Sequence, residues 1–155
     1  MTYKTAIDKI KQVVEAYNGT LSFEYGKVWD MNAKPSRVYP CLLVECQPDF
    51  NFGGIQSNYR MGKQLFKGKL FLYDTYHQAQ REVKPLWEKQ SDLNEIMLQI
   101  GAELKRVFLN DLQVDLKIKD GFFGWFEQHN SKLVEVFVPF EFEINECTLA
   151  SFTYV

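Results

Sequence analysis

The stretch 112–144, LQVDLKIKDGFFGWFEQHNSKLVEVFVPFEFEI, decides the fold. In its second half Val134, Val136, Val138, Phe140, Phe142 and Ile144 hold the even positions, and Glu135, Glu141, Glu143 and Asn145 stand among the odd ones. Side chains alternate across a strand, so the pattern predicts one apolar face and one face rich in carboxylates. The first half repeats it, with Leu112, Val114, Leu116 and Ile118 against Gln113, Asp115, Lys117 and Lys119. A slip of one residue would turn every apolar group into water, so the register is strongly set. Gln128–Ser131, with His129 and Asn130, reads as the turn, and Asp120-Gly121 as a bulge or bend in the outgoing arm. The stretch is a long C-terminal β-hairpin, and a helix must cover its apolar face.

Immediately upstream, Leu93, Ile96, Met97, Ile100, Leu104, Val107 and Phe108 form one apolar stripe at helical spacing. Asp92 and Glu95 have capping-box spacing at its start, and Asn110-Asp111 marks its end. Gly101 costs about 1 kcal/mol in a helix interior relative to Ala, which points to close packing on the sheet. His77–Gln90 is polar and reads as a turn or short helix, with Leu86-Trp87 as an apolar anchor. At the other end of the chain Tyr3, Ile7, Ile10, Val14 and Tyr17 predict an amphipathic first helix. Thr2 or Thr5 could cap its start, and Asn18-Gly19 supplies a left-handed stop.

Three strands are expected between the helices. Leu21, Phe23 and Tyr25 alternate with Ser22 and Glu24 in a strand reaching about Trp29. Asp30–Arg37, with Pro35, is an exposed connection. Val38–Cys46 is a nearly continuous apolar run, as in a central strand covered on both faces, and Pro40 stands near its beginning, where a missing donor does least harm. Leu65–Tyr76 is strand-like again. Residues 47–63 carry Phe50, Phe52, Gly53-Gly54, Ile55, Tyr59, Arg60 and Met61 without a clear period. They form either a hairpin connection whose aromatics fold back on the core or an arm that orders against a partner. After Ile144, Phe152 and Tyr154 could add a short edge strand. The expected architecture is one α+β domain over residues 1–155. Its single twisted sheet, mostly antiparallel or mixed, has about five to six strands, with two main helices on one face.

Composition narrows the function classes. The chain has 155 residues, 46% hydrophobic and 25% charged, which suits one domain with a substantial core. A formal net charge of -2 gives no general attraction to nucleic acid or to an anionic membrane. Met1–Asp8 is polar, without the apolar core of a signal peptide, and no stretch approaches the length of a membrane span. Cys41 and Cys46 lie five apart in one expected strand and point to opposite faces, and Cys147 makes the set odd, so a reducing compartment is expected.

No catalytic constellation emerges. The two histidines, His77 and His129, fall in expected turns with no partner at metal-ligand spacing. Gly53-Gly54 and Gly62-Lys63 lack the spacing of a phosphate loop. Glu141 and Glu143 would lie about 7 Å apart on one strand face, within reach of acid–base work, and the plainer reading is a solvated strand face. Tyr59-Arg60 with Lys63, or Trp125-Phe126, could stack on bases, but the basic residues are scattered rather than striped. The expectation is no enzyme, no cofactor and no metal. The candidate interface residues are Phe50, Phe52, Ile55, Tyr59 and Arg60, with Glu141 and Glu143.

The order of elements, the size and the Tyr39-Pro40 step into the apolar strand Cys41-Leu42-Leu43-Val44 resemble the tail-terminator and tail-completion proteins of tailed bacteriophages and related prophage elements. The matching stretches are Tyr3–Tyr17, Leu21–Trp29, Val38–Cys46, Leu65–Tyr76, Leu93–Phe108 and Leu112–Ile144, most of the chain. The match is one of pattern, and Tyr39-Pro40 is its only motif-like piece. The resemblance implies a non-enzymatic virion protein of the tail or head–tail neck, assembled in the bacterial host cytoplasm. It would form a homo-oligomeric ring, commonly a hexamer, that caps the tail tube and joins it to connector proteins. Residues 47–63 depart from that pattern. Two other readings remain open. One is a small-ligand-binding or enzymatic α+β domain with a pocket lined by Tyr73, Trp125 and Phe126. The other is an accessory factor of a mobile element that binds a protein by adding a strand to its sheet.

Overall fold

A computed structural model describes residues 3–18, 20–26, 38–46, 63–128 and 131–145. Its elements follow in the order α1 (Tyr3–Ala16), β1 (Ser22–Tyr25), β2 (Cys41–Cys46), β3 (Lys63–Thr75), α2 (Gln78–Val83), α3 (Leu86–Leu112), β4 (Lys117–Ile118), β5 (Phe122–Gln128) and β6 (Ser131–Asn145). The six strands form one mixed sheet in the order β1-β2-β3-β6-β4, and β5 pairs with β6 further along the same side. The fold is α+β, as the alternation and helical stripes predict.

The frame is the pairing of β3 with β6, thirteen antiparallel partners from Lys63↔Asn145 to Thr75↔Leu133. The even residues of β6 from Val134 to Phe142 are buried and join Phe66, Leu70 and Leu72 of β3 and Leu42 and Val44 of β2 on one face. Both main helices lie there, α1 through Ala6, Ile10 and Val14 and α3 through Leu93, Met97, Ile100, Leu104 and Phe108. Each Leu or Ile so buried stabilises the fold by about 1.5–3 kcal/mol. The helices run antiparallel. Lys9 pairs with Asp111 at 3.2 Å near one end, and the Tyr17 hydroxyl donates to Gln99 Oε1 at 2.7 Å near the other.

Several expectations are corrected in detail. The outgoing hairpin arm is not a strand from Leu112 onward. Leu112 ends α3, Gln113 stops it in the left-handed region at φ 54°, and Val114 donates its N–H to the Phe108 carbonyl. Of the outgoing arm only β4 and β5 pair with β6, and their registers differ. Lys117↔Glu141 and Ile118↔Phe140 give way to Phe122↔Phe137, so three residues, 119–121, oppose two, 138–139. This is the bulge expected at Asp120-Gly121. A Cβ on Gly121 would lie 2.8 Å from Val138 Cγ1, so a side chain there would have to displace Val138. Pro139 sits opposite, its carbonyl accepting the Lys119 N–H at 2.9 Å. A residue of an antiparallel pair turns its N–H and C=O to the same neighbour, so the donor that proline lacks falls at the break. The arm closes with Gln128 opposite Ser131, which brackets the expected turn.

Helix α3 begins two turns earlier than the capping-box spacing suggests. Pro85 is its N-cap, and Asp92 is an internal residue that pairs with Lys84. The half-buried Lys89–Asp74 pair at 2.5 Å ties the first turn to the end of β3. The short helix expected within His77–Gln90 is α2, whose Gln80 Oε1 accepts the His77 N–H at 2.6 Å. Strand β2 is central and buried from Cys41 to Val44, as its apolar run predicts. Its neighbour β1 is parallel to it, which requires the long connection from Gly26 to Pro40. Residues 47–62 and 146–155, including the expected arm and the Phe152–Tyr154 edge strand, lie outside the described residues.

Candidate functional site

The face of the sheet away from the helices is built by the odd residues of β2, β3 and β6. Strand register aligns them in rows, Cys41 beside Tyr73 beside Glu135, then Leu43 beside Phe71 beside Phe137, then Glu45 beside Lys69 beside Pro139. Apart from Glu135 the first two rows carry no charge, and all their members but the half-buried Phe137 are closed to water. Leu43, Phe71, Tyr73 and Leu133 form a second buried cluster, with Tyr39 and Phe137 packed against it. The Phe71 ring stacks on Tyr73 at 5.9 Å and on Phe137 at 5.3 Å. Lys69 Nζ lies 5.8 Å from the centre of the Phe137 ring, a cation over an aromatic face.

Glu135 is set into this cluster with 7% of its surface exposed. Burial pushes its carboxyl up to about 7, opposed by the Lys69 ammonium and helped by the Glu45 carboxylate. Alternation had placed it with Glu141 and Glu143 on a solvated face, and that expectation is corrected. The signal was present in the sequence. Glu135 is flanked two residues away on either side by Leu133 and Phe137, so its own face is apolar there, whereas Glu141 and Glu143 flank each other.

Towards the other end the same face becomes a charged lattice. Glu141 lies in register between Lys67 of β3 and Lys117 of β4 and pairs with Lys119 at 3.5 Å. Glu143 is exposed opposite Leu65, itself 52% exposed. These two candidates therefore do share a surface, one held by cations and one open. Phe50, Phe52, Ile55, Tyr59 and Arg60 lie outside the described residues. So do the side chains of Trp125 and Phe126, and the third wall of the expected pocket, Tyr73, is fully buried among rings. Among the described residues no three His, Cys, Asp or Glu side chains group as metal ligands, and no helix is long and apolar enough to cross a membrane.

Sequence reasoning missed a second surface. Trp87, taken as an anchor, is 67% exposed, while its neighbour Leu86 packs on the core. Leu98 and Leu109 of the same helix are as open. No protein-family model matches the sequence, and no curated protein matches it.

Proposed function

We propose that the chain is a non-enzymatic structural subunit of a phage-type tail or head–tail neck. It would assemble in the host cytoplasm into a homo-oligomeric ring that caps the tail tube and joins it to connector proteins. The observation that carries this reading is the pair of dissimilar sheet edges. Among the described residues nothing pairs with β1 beyond β2, or with β4 and β5 beyond β6. A closed ring needs two different, complementary surfaces per subunit, related by rotation. Strand β1, with Tyr25 and the neighbouring Val38 exposed, differs from the charged edge of β4 with Lys117 and Lys119. Glu141 and Glu143 would border the contact on the outer face. Native mass spectrometry with negative-stain microscopy tests it: a closed oligomer, a hexamer on the resemblance, is expected. A chain that stays monomeric at every concentration counts against it.

One observation favours a second reading, a ligand-binding or enzymatic domain. Cys41, Tyr73 and Glu135 share a buried row, and the carboxyl keeps its proton to near neutrality. A thermal-shift screen of small molecules between pH 6 and 8 tests that reading, and a hit abolished by Glu135→Gln would favour it over the ring.

A further inference from the structure

We propose that α3 packs antiparallel against the α3 of a second copy of this chain, about a two-fold axis at Leu98. Trp87, Leu98 and Leu109 are 67%, 65% and 61% exposed, the three most open large apolar residues of a helix that is otherwise half buried. They recur every eleven residues. Eleven residues make about three turns, with a drift of about 20°, so the three form one line roughly 33 Å long.

The line lies on the flank of α3 that α1 leaves open. Helix α1 covers the flank carrying Gln99 and Asp111, where the hydroxyl of Tyr17 and the ammonium of Lys9 reach across. The opposite flank overhangs the β4 edge. There a groove of about 370 Å³ opens between Leu98, Ala102 and Lys105 of the helix and Ile118, Gly121 and Val138 of the sheet. Gly101 lets the helix sit close on Ile118 at its floor, a Cβ there lying 3.3 Å from Ile118 Cδ1, and the bulge at 119–121 follows along the rim. Among the described residues no other helix lies on this flank.

The sequence of α3 itself says which helix fits. Trp87 and Leu109 are equidistant from Leu98, so an antiparallel copy centred there sets Trp87 on the copy's Leu109, Leu98 on Leu98, and Leu109 on Trp87. A contact in which each residue meets its symmetric counterpart is the isologous kind that closes a dimer. Charge agrees with the same register. Glu88 and Glu95 lie in the N-terminal half of the exposed side and Lys105 and Arg106 in the C-terminal half. Antiparallel pairing lays each acidic half along a basic one and opposes the two helix dipoles, whereas parallel pairing would stack like on like. The contact borders the β4 edge, whose Lys119 and Asp120 also line the groove, and it does not rest on the ring.

The test uses the full chain in native mass spectrometry and sedimentation over a concentration series. Leu98→Glu, at an exposed position, is expected to keep the parent melting curve and to halve the mass of the largest species, with at least a tenfold weaker self-association. Arg106 is held by Glu103 of its own helix at 2.6 Å, so the swap uses Lys105: Glu88→Lys alone is expected to weaken pairing, and Glu88→Lys with Lys105→Glu to restore it, because the swap preserves complementarity only in the antiparallel register. A parent that shows no species of even copy number, or a Leu98→Glu variant of unchanged mass, overturns the pairing. Equal weakening by the single and double charge variants overturns the register.

Discussion

Replacing Glu135 by Gln removes a charge that the fold resists. The carboxyl is 7% exposed on the outer sheet face, between Leu133 and Phe137 and across from Tyr73, and burial moves its midpoint from 4.5 to about 7. The unfolded chain gives up this proton near 4.5 and the folded chain near 7, so between those values the unfolded state binds fewer protons. Stability from this group is therefore complete below pH 4.5 and lost as pH rises through 7. One pH unit in that window is worth about 1.4 kcal/mol, which makes the loss up to about 3 kcal/mol. Glutamine keeps the shape without the charge. Urea unfolding of parent and Glu135→Gln at pH 4.5, 6, 7 and 8 should give near-equal stabilities at pH 4.5. The variant's advantage should grow to about 2–3 kcal/mol at pH 8. All other ionisable groups are common to both chains, so the difference reports this residue. Lys69→Met, which removes a facing cation, should extend the parent's loss to higher pH. A difference between Glu and Gln that does not change with pH would refute the reasoning.

Other perturbations separate the parts of the fold. Gly68→Ala sets a Cβ 2.7 Å from the Phe140 ring and 2.8 Å from the Glu45 carbonyl oxygen in the middle of the sheet. A loss of about 1–3 kcal/mol is expected in urea unfolding, and wild-type stability would show that the strands can part there. Gln113→Gly relieves a left-handed φ of 54° at the end of α3. It should raise stability by about 1 kcal/mol, read as a higher melting temperature, and a lower one would show that the side chain holds the turn. Leu104→Ala, at a fully buried position, should cost about 2–5 kcal/mol, whereas Leu98→Glu, on the open flank, should leave the melting curve of the dilute chain in place.

The legible parts of the chain were those where one periodicity acts alone. Val134 to Phe142 alternate, the stripe from Leu93 to Phe108 keeps helical spacing, and both lie where the pattern places them. Boundaries were misread where two patterns overlap. Leu112, Val114, Leu116 and Ile118 alternate like a strand, yet Leu112 still belongs to the helix, because the apolar stripe of α3 continues into the same residues. The start of α3 was hidden because Asp92 and Glu95 imitate a cap while Pro85, which permits a first turn, is the real one. The outer face was half legible. The apolar runs at 41–44 and 70–73, and the run 133–138 that only Glu135 interrupts, lie on three adjacent strands, and together they imply burial on both faces. Which runs align is set by the register, and no single strand contains it. The parallel placement of β1 is likewise a long-range choice that its four residues do not encode.

The helix pairing centred on Leu98 borders the β4 edge that the ring would use, and one experiment addresses the ring without the pairing. Native mass spectrometry and negative-stain microscopy of the Leu98→Glu chain beside the parent, over a concentration series, would report whether the sheet edges close a ring. The proposed function predicts a closed, ring-shaped oligomer of the Leu98→Glu chain, in which the sheet edges act alone. A monomeric Leu98→Glu chain at every concentration, with no ring in either sample, would contradict it.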